Sequence, residues 1–165
     1  MGLENKIMSR TVNDYLYGTG FTLATAESCT GGRIAEAVIA TPGSSDYFKG
    51  GIICYTDEIK ERLVGVSREL LEEKTAVSEE VAKAMVQGVI STMHTDFAVA
   101  STGYAGPGGG TPEAPVGTIW IACGDKDHVV TQKLDQDFGR DINLAIATSK
   151  AMQMLVAFLK EKLKK

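Results

Sequence analysis

Apolar positions in this chain alternate between a helical and a strand period. Between Asn5 and Tyr17 they fall at Ile7, Met8, Val12, Tyr15 and Leu16, a helical stripe closed by Gly18 and Gly20. The run FTLATA then reads as a short buried strand. After the turn at Gly31 and Gly32, Ile34, Ala37 and Val38 resume a helix that TPG stops at Thr41 to Gly43. GGIICY, Gly50 to Tyr55, is a second apolar strand. In TDEIKERLVGV, Thr56 or Asp57 suits a helix N-cap, and Ile59 and Leu63 lie one turn apart as the apolar positions. A short helix in SRELLEEK leads to a longer one that Ser78 caps, with two glutamates in its first turn and Val81, Met85 and Val89 as its buried face. FAVAST is a third strand. VGTIWIAC and HVVTQKLD form two more, joined by GDKD as a hairpin turn, and a long amphipathic helix runs from about Arg140 to Lys164.

Strands alternating with helices predict an α/β fold, a three-layer α/β/α sandwich. The late hairpin makes its sheet mixed but mostly parallel. A length of 165 residues, 44% of them hydrophobic, matches one domain spanning 1–165 with a real core. In such sheets ligands bind at strand ends, where the connections diverge. ESCTGG and TGYAGPGGG both fall there.

Charge and composition narrow the partners. With a net charge of -4 and no basic cluster beyond the tail KEKLKK, nucleic acid is not expected. Three cysteines without CxxC spacing, Cys29, Cys54 and Cys123, suggest neither a disulfide framework nor a zinc site, so no metal is expected. The N-terminus lacks an apolar targeting stretch, and no apolar run approaches the ~20 residues of a membrane span. The expectation is a cytoplasmic protein that does not engage membranes. Apolar residues in excess on the last helix fit a homo-oligomer.

The chemistry concentrates in three stretches. In ESCTGG the hydroxyl of Ser28 stands where a strand turns into a helix, followed by the amides of Thr30, Gly31 and Gly32. Such amides stabilise a phosphate or the oxyanion of acyl transfer; the plainer reading makes Ser28 or Thr30 an N-cap. Cys29 competes as nucleophile, since a thiol near a helix start can be acidified. His94 and His128 belong to no triad pattern, so a base for either nucleophile would be lysine or tyrosine. YTDEIK supplies both: Tyr55 ends a strand and Lys60 opens the next helix. A partly buried lysine can act as a base, whereas an exposed one would simply flank an amphipathic helix. The third stretch, STGYAGPGGGTPEAPVG, lacks the P-loop ending and the dinucleotide spacing, so no nucleotide cofactor follows from it. Amides at Gly103 and Gly106, with the hydroxyl of Thr102, would suit a phosphate or ribose. Arg140 would grip a substrate phosphate bidentately.

Together TAESCTGG, ATPGSSDYFKGGIICYTDEIKERLVGV, AVSEEVAKAM and TGYAGPGGGTPEAPVGTIWIA resemble the C-terminal domain of the competence/damage-inducible protein CinA, in order and over nearly the whole chain. That family includes nicotinamide-nucleotide amidases, which hydrolyse nicotinamide mononucleotide to nicotinic acid mononucleotide and ammonia. The resemblance implies a cofactor-free serine amidase that uses serine, tyrosine and lysine, roles falling on Ser28, Tyr55 and Lys60. It also matches Thr102 to the threonine before the glycine-rich loop, and makes Cys29 a buried neighbour. Tyr104 stands where the family usually has isoleucine and Ala114 where lysine is frequent. Of two arginines usual on the final helix, Arg140 fits the first and Asn143 or Leu144 occupies the second. Two other expectations remain beside the nucleotide amidase: a non-catalytic nucleotide-binding module, or an amidase for a related small carboxamide.

Overall fold

A computed structural model describes residues 1–164. In chain order the elements are α1 (Leu3–Leu16), β1 (Leu23–Glu27), α2 (Arg33–Val38), a 3-10 turn (Ser44–Asp46), β2 (Phe48–Ile53), α3 (Asp57–Val64), α4 (Arg68–Lys74), α5 (Glu79–Met93), β3 (Phe97–Gly103), β4 (Thr118–Gly124), β5 (Val129–Asp135) and α6 (Arg140–Leu163). The strand order is β2-β1-β3-β4-β5. β2, β1 and β3 pair in parallel, and β4 pairs antiparallel with both β3 and β5, so only β4 opposes the common direction. The mixed, mostly parallel sandwich expected from the sequence is the fold observed. The second helix is shorter than its pattern suggests, ending at Val38, and β2 stops at Ile53, which leaves Cys54 and Tyr55 beyond the strand.

The period-2 alternation sorts the two faces by size. Leu23, Phe97, Val99, Ile119, Ile121 and Cys123 point to one layer, where they meet Val12 and Leu16 of α1, Ile34 of α2, and Leu144, Met152 and Leu155 of α6. Ala24, Ala26, Ala98, Ala100 and Ala122 point to the other. Small residues there let α5 lie close to the sheet, and it buries Val81, Met85, Val86 and Val89 as its periodicity predicts. Each such aliphatic side chain contributes about 1.5–3 kcal/mol of burial.

α6 corrects one expectation. By length and composition its 24 residues suffice to cross a membrane, with a mean hydropathy of 1.4 in its most apolar window. Half of that window is buried inside the protein, where Leu144, Ala147, Ala151, Met152, Leu155 and Leu159 pack on the sheet. The apolar stretch is the stripe of a core helix.

This topology gathers the chemistry at one edge. The C-terminal ends of β1, β2, β3 and β5 lie together, with Glu27 in register with both Ile53 and Ser101, and Thr118 with Asp135. The chain leaves β1 for α2 on one face and β2 for α3 on the other. Ser28 therefore sits at a divergence of connections. His94 and the turn holding His128 are at the opposite edge.

Candidate active site

Strand alternation continues past β1 and sends consecutive side chains to opposite layers: Glu27 to the start of α2, Ser28 toward α3. The Ser28 amide donates to the Ser101 carbonyl at 3.0 Å, fixing its backbone against β3. Its hydroxyl is 2.9 Å from Nζ of Lys60.

Lys60 reaches that position because α3 is rotated from the face its apolar residues suggest. Thr56 caps the helix by accepting from the Ile59 amide, and Lys60 and Val64, four residues apart, face inward, while Leu63 is exposed. Helix α5 locks this orientation, since Gly88 passes so close to α3 that a Cβ there would overlap the Val64 carbonyl oxygen. Lys60 is only 1% exposed, and among the described residues no carboxylate forms an ion pair with it. Burial holds its ammonium pKa below the usual lysine value, against weaker opposing influences from Cys54, Asp57, Cys29 and Tyr55. Once the amine is neutral, the 2.9 Å contact runs in reverse, with the Ser28 hydroxyl donating.

Tyr55 meets this pair through its backbone. Its carbonyl accepts from Lys60 Nζ at 3.4 Å and lies 3.5 Å from the Ser28 hydroxyl. The phenol points outward, 57% exposed, and accepts from Nη2 of Arg140 at 3.4 Å. Cys29 is buried, and desolvation pushes its thiol up to about 11; Cys54 behaves likewise, also about 11. A thiol so placed is protonated and shielded, the opposite of an activated cysteine.

The turn after Ser28 departs from expectation. Gly31 and Gly32 both have positive φ, 56° and 104°, which only glycine adopts readily. The Gly31 amide closes the turn on the Ser28 carbonyl at 3.1 Å, and the first amides of α2 are occupied as well. Ile34 donates to Oε1 of Glu27 at 2.8 Å and Ala35 to Oε2 at 3.0 Å. The helix start thus holds an internal carboxylate. The Thr30 hydroxyl is also directed inward, 2.7 Å from Glu27 Oε1 and 2.6 Å from the Ser101 hydroxyl, leaving it no access to a ligand. The amides of Thr30 and Gly32 donate to no group among the described residues.

The glycine-rich loop is tied down by its own bonds. Gly103 packs against the backbone of Thr118 and Ile119 without room for a Cβ, and Tyr104 and Gly117 bond across the loop's neck. The Thr102 hydroxyl is buried and donates to the Ala76 carbonyl at 2.8 Å; it braces the segment before α5. Nη1 of Arg140 donates to the Gly106 carbonyl at 2.8 Å.

Of the residues singled out from sequence, the structure brings Ser28, Lys60, Tyr55, Arg140 and Gly106 to one rim and turns the hydroxyls of Thr30 and Thr102 away from it. Sequence reasoning passed over Glu27 and Ser101, and marked Asn143 only as standing with Leu144 where a second arginine is usual. An acid closing an apolar strand was a signal for Glu27; nothing local marked Ser101 or the bonds that Asn143 makes. Among the described residues no three His, Cys, Asp or Glu side chains are grouped to hold a metal ion.

A serine hydroxyl against a buried lysine, beside two amides that donate to no group among the described residues, is an arrangement able to perform acyl transfer. Residues 5–159 match the family model of the CinA C-terminal domain. The chain belongs to the CinA C-terminal domain family. A CinA-like protein of Myxococcus xanthus is 48% identical over 121 residues, 73% of this chain and 29% of the relative. One from Gloeobacter violaceus is 42% identical over 156 residues, covering 93% of this chain and 37% of the relative. The chain therefore spans about a third of the length of these CinA-like relatives. The crystal structure of competence/damage inducible protein CihA from Agrobacterium tumefaciens superposes with a TM-score of 0.90 at 35% identity, covering 95% of this chain and 98% of that one. A CinA superfamily protein from Escherichia coli gives 0.88 at 32% identity, covering 96% and 94%.

Proposed function

We propose that this CinA-family chain is a serine amidase, with Ser28 as nucleophile and Lys60 as general base, acting on nicotinamide mononucleotide. The observation that carries the reading is the 2.9 Å contact between the Ser28 hydroxyl and a buried lysine that has no ion-pair partner among the described residues. Neutral Lys60 accepts the hydroxyl proton as Ser28 Oγ bonds to the carboxamide carbon. The resulting oxyanion is stabilised by amides of the Ser28 turn, of which those of Thr30 and Gly32 are uncommitted among the described residues. The Lys60 ammonium returns its proton to the departing nitrogen, and ammonia leaves an acyl ester on Ser28. Lys60 then takes a proton from water, whose oxygen attacks the ester, and the proton passes back to Ser28 as the carboxylic acid leaves and ionises in solvent.

The Tyr55 carbonyl orients Lys60 through the cycle, and the outward phenol and Arg140 form the rim that meets the nucleotide. Arg140 would pair with the phosphate. On this reading residues 1–165 act as one domain, cofactor-free, in the cytoplasm where nucleotides are found.

The test is ammonia release from nicotinamide mononucleotide by the wild type, Ser28→Ala and Cys29→Ala. Ser28→Ala should lose at least about 100-fold in turnover, the scale of a lost transition-state contact. Cys29→Ala should retain turnover. Near-normal activity in Ser28→Ala, or its loss in Cys29→Ala alone, rejects the mechanism. Absence of ammonia from the wild type, with ligand still raising the melting temperature, would point to a binding module or another carboxamide.

A further inference from the structure

Arg140 is an exposed side chain on a flexible stem, yet it lies over the rim in a defined direction. The reason is found three residues further along α6. Asn143 is only 3% exposed, and its amide is bonded on every side. Nδ2 donates to the Ala105 carbonyl at 3.0 Å and to Oδ1 of Asp137 at 2.9 Å, while Oδ1 accepts from the Phe138 amide at 2.9 Å. Asp137 also accepts from the Gly139 amide at 3.0 Å, and these two bonds hold its carboxyl below the usual range. One short buried side chain thus joins the glycine-rich loop, the segment before α6 and the first turn of α6.

Arg140 and Asn143, one turn apart, grip consecutive carbonyls: Asn143 holds Ala105 and Arg140 holds Gly106. The two grips differ in strength of placement. A buried asparagine with three satisfied bonds has no alternative conformation of similar energy, because any rotation strands buried polar atoms. Arg140 at the surface can exchange its bond for water. The loop position is therefore set by Asn143, and the Gly106 carbonyl in turn fixes Nη1 of Arg140 so that Nη2 faces the Tyr55 hydroxyl.

We propose that Asn143 is a positioning residue: by latching Ala105 to α6 it aims the Arg140 guanidinium at the rim of the Ser28–Lys60 pair, and so sets the affinity for the substrate's anionic group. The kinetic part of this inference rests on the amidase reading; the latch itself does not.

The experiment combines Asn143→Ala, Arg140→Ala and the double variant in steady-state kinetics with nicotinamide mononucleotide and with its phosphate-free riboside. Loss of one Arg140 hydrogen bond to the substrate's anionic group corresponds to about tenfold. Asn143→Ala should raise KM for the mononucleotide about tenfold with kcat nearly unchanged, leave KM for the riboside unaltered, and add nothing to Arg140→Ala in the double variant. An unchanged KM, an equal rise for both substrates or fully additive effects would overturn the proposal.

Hydrogen exchange on the same proteins needs no turnover and separates failure of the latch from failure of the amidase reading. The amides of Tyr104 and Gly117, which close the loop's neck, should exchange faster in Asn143→Ala and not in Arg140→Ala; unchanged exchange in Asn143→Ala rejects the latch. The alanine variant is first checked for a native fold by circular dichroism. If it does not fold, the fallback is Asn143→Ser: its short neutral hydroxyl introduces no second carboxylate beside Asp137 and cannot span Ala105, Asp137 and Phe138 together, and the same outcomes decide.

Discussion

Glu27 offers a sharp test of how the Ser28 turn is built. It is a carboxylate 1% exposed, at the end of an apolar strand, and among the described residues no lysine or arginine forms an ion pair with it. Three hydrogen bonds hold it: the Thr30 hydroxyl at 2.7 Å and the Ile34 amide at 2.8 Å on Oε1, and the Ala35 amide at 3.0 Å on Oε2. In Glu27→Gln the amide oxygen can take over the work of Oε1, but the NH2 group then faces the Ala35 N–H, donor against donor. One buried N–H left unsatisfied costs about 1–3 kcal/mol. Removing negative charge from a helix start costs about 0.3–1 kcal/mol more, rising to about 2 where the site is shielded. Relief of the carboxylate's desolvation offsets part of this, leaving a net loss of about 2 kcal/mol. For a chain of this size that lowers Tm by about 4–8 °C. Urea unfolding at neutral pH, followed by circular dichroism, measures it directly. Turnover should fall too, because the amides after Ser28 lose their anchor. A change below about 0.5 kcal/mol, the scale of ordinary surface substitutions, would refute the claim that this carboxylate organises the turn.

Lys60 links stability to pH in the opposite sense from a paired lysine. Its folded pKa lies below the unfolded value, so between the two the unfolded chain binds more protons and stability rises with pH; below that window the full burial penalty stands. Lys60→Met should therefore be more stable than the wild type at pH 7, with the advantage shrinking toward pH 10 in thermal melts, while the proposed amidase turnover should be lost. An equal loss of stability at both pH values would contradict this. In the wild type, turnover should climb with pH as the amine becomes neutral. Gly88→Ala sets two effects against each other: alanine favours a helix by about 1 kcal/mol, but its methyl would overlap the Val64 carbonyl. Overpacking against backbone costs about 1–3 kcal/mol and pushes α3 outward, so we expect a net loss of stability and a fall in kcat exceeding any change in KM. A stabilised Gly88→Ala with full activity would show that α3 does not depend on this contact.

The sequence by itself determined the alternation of strands and helices, the cap at Ser78, a cap at Thr56 or Asp57, and the placing of Ser28 and the glycine-rich loop at strand ends. These follow from local periodicity and turn chemistry, which act over a few residues. It also placed Lys60 close enough to a strand end to be a candidate. Whether that lysine was buried remained open, because α3 carries two stripes of i,i+4 neighbours, Ile59 with Leu63 and Lys60 with Val64, and the more apolar one is not the one most deeply buried. The close passage of Gly88 decided between them. Tertiary structure likewise presented the carbonyl of Tyr55 rather than its phenol to the pair, turned Thr30 and Thr102 inward, filled the start of α2 with Glu27 and latched Ala105 to Asn143. The physical reason is common to all of these. Periodicity states which side chains can share a face, whereas burial and hydrogen-bond partnership depend on what packs against that face, and here the partners come from distant parts of the chain: Ser28 with Lys60, Thr30 with Ser101, Ala105 with Asn143.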